Sequence, residues 1–347
     1  MTEPTEFTVH HLRFKVEAKT PLLLPAQAGP SIRGALFGAL QRHFCPVPRT
    51  ETPTADHKAV CPVCWLMATE QPDHPRGRDV PRPYVVEPPL ADPGQAGQPQ
   101  RYEPGQRFTL GLSLFARAVS LFPYLVVALP LMGQEGIGIP LAENAPAHRP
   151  QWARRGQFAL RAIHAVQPLS GQESVVLAEG DSLVIVPEAP LTQAGVDASA
   201  QRLMAQIGDP GLVQIEFLTP TRIVHQEHLV RGPSLGPLVR RLLERLDALR
   251  TEYAAEPPLA GRDRLIELAD SVRRVRDHTR WIEVESHSQR LKRSTPRSGF
   301  LGAVTYQAEA EVWQALLPPL LWGQAVHVGK NATKGDGWYR IQAAEGG

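Results

Sequence analysis

The stretch Val213-Gln214-Ile215-Glu216-Phe217 alternates apolar and polar residues and runs into Leu218-Thr219-Pro220-Thr221-Arg222. A period of two is the mark of a half-buried strand. Leu235, Leu238, Val239, Leu242, Leu243, Leu246, Leu249 and Tyr253 then recur at helical spacing, with Arg240, Arg241, Arg245 and Arg250 on other faces, so a long helix follows the strand. A second helical piece is expected over residues 263–276, strands near 280–285 and 299–306, a helix over 309–322 and a last strand at 338–341. The order is β-α-β-β-α-β. It is the ferredoxin-like order, in which two helices cover one face of a four-stranded antiparallel sheet and leave the other open. RNA-recognition modules use such an open face; the order alone names no function, because this fold hosts many.

Upstream, residues 12–16 alternate as a strand, and Ser31 is placed to cap a helix through Phe44 with Ala35, Leu36, Ala39 and Leu40 facing inward. Residues 45–106 are dense in Pro, Asp, Gly and Gln and hold a short strand at 84–86, so they read as a Cys- and Pro-rich insertion. Phe108, Leu110, Leu112 and Leu114 alternate again; an apolar helix at 120–132 and strands at 158–166 and 182–186 follow. A chain of 347 residues has room for two cores. The expected division is 1–211, carrying the insertion, and 212–347, both of the α+β class.

Hydrophobic residues make up 42% and charged residues 21% of the chain, which excludes wholesale disorder. Proline, 34 residues, is about twice its usual share, so loops are long and stiff. The apolar run 121–132 is broken by Pro123 and Pro130 and is shorter than the roughly 20 residues of a spanning helix; no membrane partner is expected. An acidic start and three cysteines suit a cytoplasmic protein. Net charge is only +2, so a polyanion partner has to be argued from where the charge sits.

Four features carry chemistry. Between the last helix and the last strand lies Val328-Gly329-Lys330-Asn331-Ala332-Thr333-Lys334-Gly335-Asp336-Gly337-Trp338-Tyr339. Glycines let a phosphate approach the backbone and lysines add charge, so the segment reads as a phosphate-gripping loop or, more plainly, as a flexible connection. It lacks the glycine spacing and following helix of a Walker loop. Residues 271–300 hold Arg273, Arg274, Arg276, Arg280, Arg290, Lys292, Arg293 and Arg297 against Asp277, Glu283 and Glu285, a concentration of charge suited to a nucleic-acid backbone or to a solvated face. Trp281 and Tyr306 could stack on bases, although core packing is the commoner job. Cys45 and Cys61-Pro62-Val63-Cys64 suit a structural zinc with His57 or His43 as fourth ligand, or else a loop of reduced thiols. Twelve histidines show no His-x-x-x-His or His-Glu-x-x-His spacing, and no acidic cluster points to magnesium, which disfavours a two-metal nuclease. RNA cleavage without metal needs a general base near the 2′-hydroxyl, a cation at the phosphate and a proton donor. His43, beside Arg42 at the end of the first helix, is the leading candidate, and His327 the second.

Phe217-Leu218-Thr219-Pro220, the Arg-rich leucine helix, Ser286-His287-Ser288-Gln289-Arg290-Leu291-Lys292, Gly299-Phe300-Leu301-Gly302 and His327-Val328-Gly329-Lys330 through Gly335-Asp336-Gly337 resemble the carboxy-terminal domain of the CRISPR-associated endoribonucleases that process precursor CRISPR RNA, members of the RAMP superfamily. The first half resembles them more loosely, through Ser31-Ile32-Arg33-Gly34-Ala35-Leu36 and Arg82-Pro83-Tyr84-Val85-Val86-Glu87-Pro88. The resemblance implies tandem ferredoxin-like (RRM-like) domains with a Cys-containing insertion in the first. It also implies cleavage within a CRISPR repeat by the 2′-hydroxyl, without metal, leaving a 2′,3′-cyclic phosphate and a 5′-hydroxyl. His43 matches approximately the place where relatives carry a catalytic histidine. Arg33, Arg42, Arg290, Lys292, Arg293, His327, Gly329, Lys330, Lys334, Gly335 and Gly337 would hold the RNA; Cys45, Cys61, Cys64 and His57 would hold a structural zinc. Other CRISPR effector subunits are candidate partners. Two other readings stand beside this one: a noncatalytic subunit that holds CRISPR RNA, and a zinc-stabilised adaptor that contacts protein.

Overall fold

A computed structural model of the protein describes residues 6–48, 51–67, 80–288 and 293–344. Its described residues gather into two compact units. One comprises His10–Val166 and Glu173–Ala189; the other comprises Gln167–Gln172 and Pro190–Gly347 together with the segment up to Val9.

The amino-terminal unit contains β1 (Val9–Ala18), β2 (Leu22–Leu24), α1 (Gly29–Phe44), α2 (Ala55–Val60), α3 (Pro62–Met67), β3 (Tyr84–Glu87), β4 (Gln100–Tyr102), β5 (Arg107–Phe115), α4 (Phe122–Glu135), β6 (Ile137–Leu141), β7 (Arg154–Gly156), β8 (Phe158–Val166) and β9 (Glu173–Leu177). Its main sheet runs β3-β5-β1-β8-β9. The first four strands reproduce the ferredoxin-like order, with α1 and α4 as its two helices. Leu12, Phe14 and Val16 of β1 bury against Ile32, Leu36 and Leu40 of α1 and Leu125, Leu129 and Met132 of α4 in one core.

Local rules misplace several boundaries here. Ser31 does not cap α1: the cap position is Ala28, Pro30 occupies the first turn, and the Ser31 hydroxyl accepts from the Gly138 amide instead. The insertion is shorter than 45–106, because β3 pairs with β5 inside the main sheet and β4 pairs with β2. Residues 182–186 are not a strand. Asp181 Oδ1 accepts from the amides of Ser182 and Leu183, a local turn that competes with a ladder, and the edge strand forms earlier, as β9. Pro123 sits in the first turn of α4, where its missing N–H is harmless, and Pro130 lies within the helix without ending it. The helical stretch Ala116–Glu135 is therefore long and apolar enough to cross a membrane by length and composition, contrary to the reading from 121–132. Its Phe122, Leu125, Leu129 and Met132 are buried in the core.

The carboxy-terminal unit contains α5 (Gln193–Met204), β10 (Gly211–Thr221), β11 (Ile223–His225), β12 (His228–Val230), α6 (Leu235–Ala254), α7 (Arg262–Ser271), β13 (Arg273–Ile282), β14 (Glu285–Ser288), β15 (Arg293–Pro296), β16 (Gly299–Ala308), α8 (Ala310–Val326) and β17 (Tyr339–Ala343). Its sheet runs β13-β16-β10-β17, antiparallel throughout, again the ferredoxin-like order. Val213, Ile215 and Phe217 are buried and Gln214 and Glu216 are half-exposed, as the alternation predicts. Every leucine of the helical repeat is buried in α6. The helical reading of 263–276 overshoots: α7 ends at Ser271 and β13 begins at Arg273. There Arg273 pairs with Gln307 and the ladder continues to Ile282 opposite Gly299. A long-range ladder wins over the local charge pattern, and charged residues suit an edge strand.

Candidate functional site

α1 delivers its last residues to the insertion. Cys45 follows its end in extended conformation; Thr54 caps the short α2 by accepting from the His57 amide, and Pro62 opens α3. These turns bring Cys45, His57, Cys61 and Cys64 together, with all four potential ligand atoms within 4.8 Å of one another. Cys45 Sγ stands 3.4 Å from His57 Nε2 and 3.7 Å from Cys64 Sγ. All three cysteines are free thiols and buried. Burial, followed by the neighbouring thiols, pushes Cys64 up to about 12, so this thiol is protonated, and a bound cation would be what stabilises its thiolate. Such a Cys3His cluster can hold a metal ion. Of the two histidines open as fourth ligand, His57 is the one in the cluster.

His43 lies on the last turn of α1, 40% exposed, with Nε2 3.8 Å from Glu135 Oε1 at the end of α4. Arg42 donates to the same carboxylate through Nε at 2.9 Å and again through Nη2. An accessible imidazole, a guanidinium and a carboxylate thus share one corner of the amino-terminal unit. This set can exchange protons and hold an anion. Glu135 was missed because it is 92 residues from His43 and no local pattern links them. Arg33 lies elsewhere: nine residues before Arg42, it is on the opposite side of α1, and its Nε donates to the Tyr84 hydroxyl at 2.8 Å. His11, Glu87 and Ser113 form a second polar group, with His11 Nδ1 2.9 Å from Glu87 Oε1 and 3.0 Å from Ser113 Oγ. All three are buried.

The glycine loop of the carboxy-terminal unit is folded onto the end of β10. The amides of Gly337 and Lys330 donate to the carbonyls of Pro220 and Arg222 at 3.1 and 3.0 Å, and the Trp338 amide donates to Thr219 Oγ1 at 2.9 Å. The Val328 amide bonds to Gly337, Lys334 to Asn331, and Gly335 to Ala332. Gly335 and Gly337 are buried, with φ of 91° and 70°, and a Cβ on Gly337 would stand 1.8 Å from the Val328 carbonyl oxygen. These two glycines shape the loop, and their amides are engaged with the carbonyls of Ala332 and Pro220 rather than offered outward. His327 is 0% exposed, with its ring parallel to Trp338 at 5.7 Å; its burial removes it from any surface contact. Lys330 is the exposed cation of the loop, and Lys334 is half-buried, its Nζ 3.4 Å from Asn331 Oδ1.

A buried ion pair fastens this loop. Arg297 Nη2 and Nε donate to Asp336 Oδ2 at 2.6 and 3.2 Å, and both residues are nearly inaccessible. Burial pushes Asp336 up to about 6; Arg297 pulls the other way but does not prevail. Arg290 and Lys292 lie outside the described residues, and Arg293 begins β15. Arg273, Arg276 and Arg280 are exposed on the edge strand β13. The Tyr306 ring is buried and its hydroxyl donates to the Pro233 carbonyl, which makes it a core residue. Trp281 is half-buried under the Arg231 guanidinium at 5.5 Å.

The profile of the family CRISPR-associated endoribonuclease Cas6 matches residues 215–339, and a profile described as an N-terminal domain matches residues 7–189. No curated protein matches the sequence. Among solved structures, a partial Cas6-RT-Cas1–Cas2 complex is similar at a TM-score of 0.58 and 14% identity; the match covers 98% of this chain and 47% of that one. This chain therefore spans about half the length of that relative. A Cas6 product complex matches at a TM-score of 0.53 and 15% identity over 97% of this chain and 99% of that one. Thermus thermophilus Cas6 matches at 0.52 and 16% over 96% and 98%. These structural likenesses are of fold, and they extend over both ferredoxin-like units. The glycine loop folded onto the Thr219-Pro220 strand end lies inside the match to the CRISPR-associated endoribonuclease Cas6 family, and the tandem fold around it is the fold of the solved Cas6 structures.

Proposed function

We propose that this protein binds CRISPR repeat RNA and cleaves precursor CRISPR RNA by metal-independent attack of a ribose 2′-hydroxyl, leaving a 2′,3′-cyclic phosphate and a 5′-hydroxyl. The observation that carries the reading is the accessible His43 with Arg42 and Glu135, in a chain whose other half matches an endoribonuclease family. His43 takes the 2′-hydroxyl proton as general base, the P–O5′ bond breaks as the O2′–P bond forms, the departing 5′-oxygen takes its proton from water, and the developing oxyanion is held by Arg42, for which the phosphate competes with Glu135. Lys330, Lys334 and the basic segment around Arg290, Lys292 and Arg293 contact the RNA backbone, a sequence-tolerant task suited to cations. Arg33 supports α1 through Tyr84. The RNA is the primary partner, with other CRISPR proteins as secondary ones, in the cytoplasm.

The Cys3His cluster is read as a structural zinc site. Zn–S bonds of about 2.3 Å in a tetrahedron place two sulfurs about 3.8 Å apart, and Cys45 and Cys64 are 3.7 Å apart. Four such ligands would close the coordination sphere, so the ion would tie α1 to α2 and α3 and take no part in the chemistry.

The test mixes excess protein with its repeat RNA in EDTA, beside a copy carrying one 2′-deoxy sugar at the cut position. Cleavage of the first alone is expected, and His43→Ala should slow it by about 10²–10⁴-fold with RNA affinity retained. Binding without cleavage of either would replace this reading with that of an RNA-holding subunit, and full activity in His43→Ala would remove the catalytic assignment.

A further inference from the structure

The connection from β6 and the start of β7 carry His148-Arg149-Pro150-Gln151-Trp152-Ala153-Arg154-Arg155, three arginines without an acid from Pro146 to Gln157. Trp152 is 52% exposed, unusual for the side chain with the largest apolar surface. The loop is shaped to hold it there. The Arg149 amide donates to the Pro146 carbonyl at 2.8 Å and the Trp152 amide to the Arg149 carbonyl at 3.0 Å, two successive turns that bring the Arg149 guanidinium over the indole at 4.2 Å. Asn144 Nδ2 ties the base of the loop to the carbonyls of Pro21 and Arg154.

The charges of this loop are treated differently from others in the same unit. Arginines there commonly meet a glutamate: Arg13 meets Glu173, Arg101 meets Glu103, Arg107 meets Glu179, and Arg161 meets Glu17. Arg149, Arg154 and Arg155 are exposed and hold no carboxylate among the described residues. They also lie next to the candidate catalytic corner. The Arg155 backbone presses on Gly136 so closely that a Cβ there would stand 2.8 Å from the Arg155 carbonyl oxygen, and Gly136 follows Glu135, the partner of Arg42 and His43.

We infer that Trp152 and Arg149, with Arg154 and Arg155, form a binding site for single-stranded RNA: an unpaired base stacks on the indole and adjacent phosphates meet the two strand arginines. The inference rests on the function proposed above and adds to it a site in the amino-terminal unit. An exposed ring takes any base, because every base has a π-face, and the flanking arginines read only the backbone. A base within a duplex is already stacked and unavailable, so the site selects an unpaired segment beside the cut.

The test measures polarisation of a fluorescein-labelled oligouridylate and, separately, cleavage of the repeat RNA in EDTA. Trp152→Ala should weaken oligouridylate binding by about tenfold or more, and Trp152→Phe should restore most of it. Arg154→Ala with Arg155→Ala should flatten the slope of log affinity against log salt by about 1.4. Since these side chains are exposed, unchanged circular dichroism is expected for each variant. If the wild type cuts the repeat while Trp152→Ala binds oligouridylate within twofold of it, this inference falls and the proposed function stands. Oligouridylate binding through Trp152 without cleavage of the repeat would do the reverse, and a wild type that binds no RNA overturns both. Loss of poly-glutamate binding in the arginine variant, with RNA affinity intact in all of them, would reassign the loop to an acidic protein partner and overturn the RNA site.

Discussion

Replacing Arg297 by Met removes one partner of the buried pair that fastens the glycine loop and leaves the Asp336 carboxyl in place. Asp336 is 5% exposed and Arg297 3%, so water does not screen the loss. Breaking a buried pair from one side costs about 3–5 kcal/mol; for a unit of this size that corresponds to a melting temperature lower by roughly 6–20 °C. The pH dependence makes the prediction specific. Burial holds Asp336 at about 6, above its ordinary 3.8, so the folded state retains the proton more tightly than the unfolded chain. Ionising Asp336 therefore removes stability as pH rises from about 4 through 6, and Arg297 limits that loss. Without Arg297 the carboxyl rises further. The deficit of Arg297→Met relative to wild type should then be largest at pH 8 and shrink at pH 5, where both proteins hold a neutral Asp336. Thermal unfolding followed by circular dichroism at the two pH values reads this directly. A deficit of equal size at both, or one below about 2 °C at pH 8, would refute the claim that the pair anchors the loop. The double variant Arg297→Met with Asp336→Leu supplies the control, because an apolar pair of similar volume should recover most of the loss.

Backbone geometry gives a second expectation: Gly337→Ala forces a Cβ against the Val328 carbonyl at φ 70° and should lower urea stability by at least about 2 kcal/mol. Gly34→Ala, in open space on α1, should raise it by about 0.5–1 kcal/mol; equal effects would show that the contacts around Gly337 are misplaced. For the cysteine cluster, a strong chelator should release one zinc per chain and lower the melting temperature, and Cys64→Ser should abolish the release. Metal-free protein whose melting temperature ignores added zinc would sink that assignment.

Periodicity made the fold legible because a strand or helix with one buried face writes that face into its own residues. Val213, Ile215 and Phe217 state their face without reference to anything distant, and so do the leucines of α6. Two of the failures fall where a distant partner outvotes the local pattern. Arg273 to Arg276 resemble the tail of a helix until β16 offers them a ladder, and Pro130 reads as a breaker until the core packed around α4 holds the helix through it.

The candidate sites divide along the same line. Cys61 and Cys64 announce a cluster able to hold a metal because the ligand spacing is itself local, and Cys45 and His57 are close enough in sequence to be enumerated with them. Glu135 beside His43, and Asp336 beside Arg297, are pairs made by packing, and neither leaves a trace in its own neighbourhood. In the glycine loop the composition and the bonding point different ways. Its glycines invite the idea of amides offered to phosphate, yet the amides of Gly337, Lys330 and Trp338 are bonded to Pro220, Arg222 and Thr219 and fix the loop to the strand end. What such a loop then presents outward is Lys330, held by a rigid scaffold rather than by a flexible one. A cation on a fixed backbone loses less freedom on meeting a phosphate than a mobile one, so under the proposed function the bonds that engage these amides would favour the contact made by Lys330.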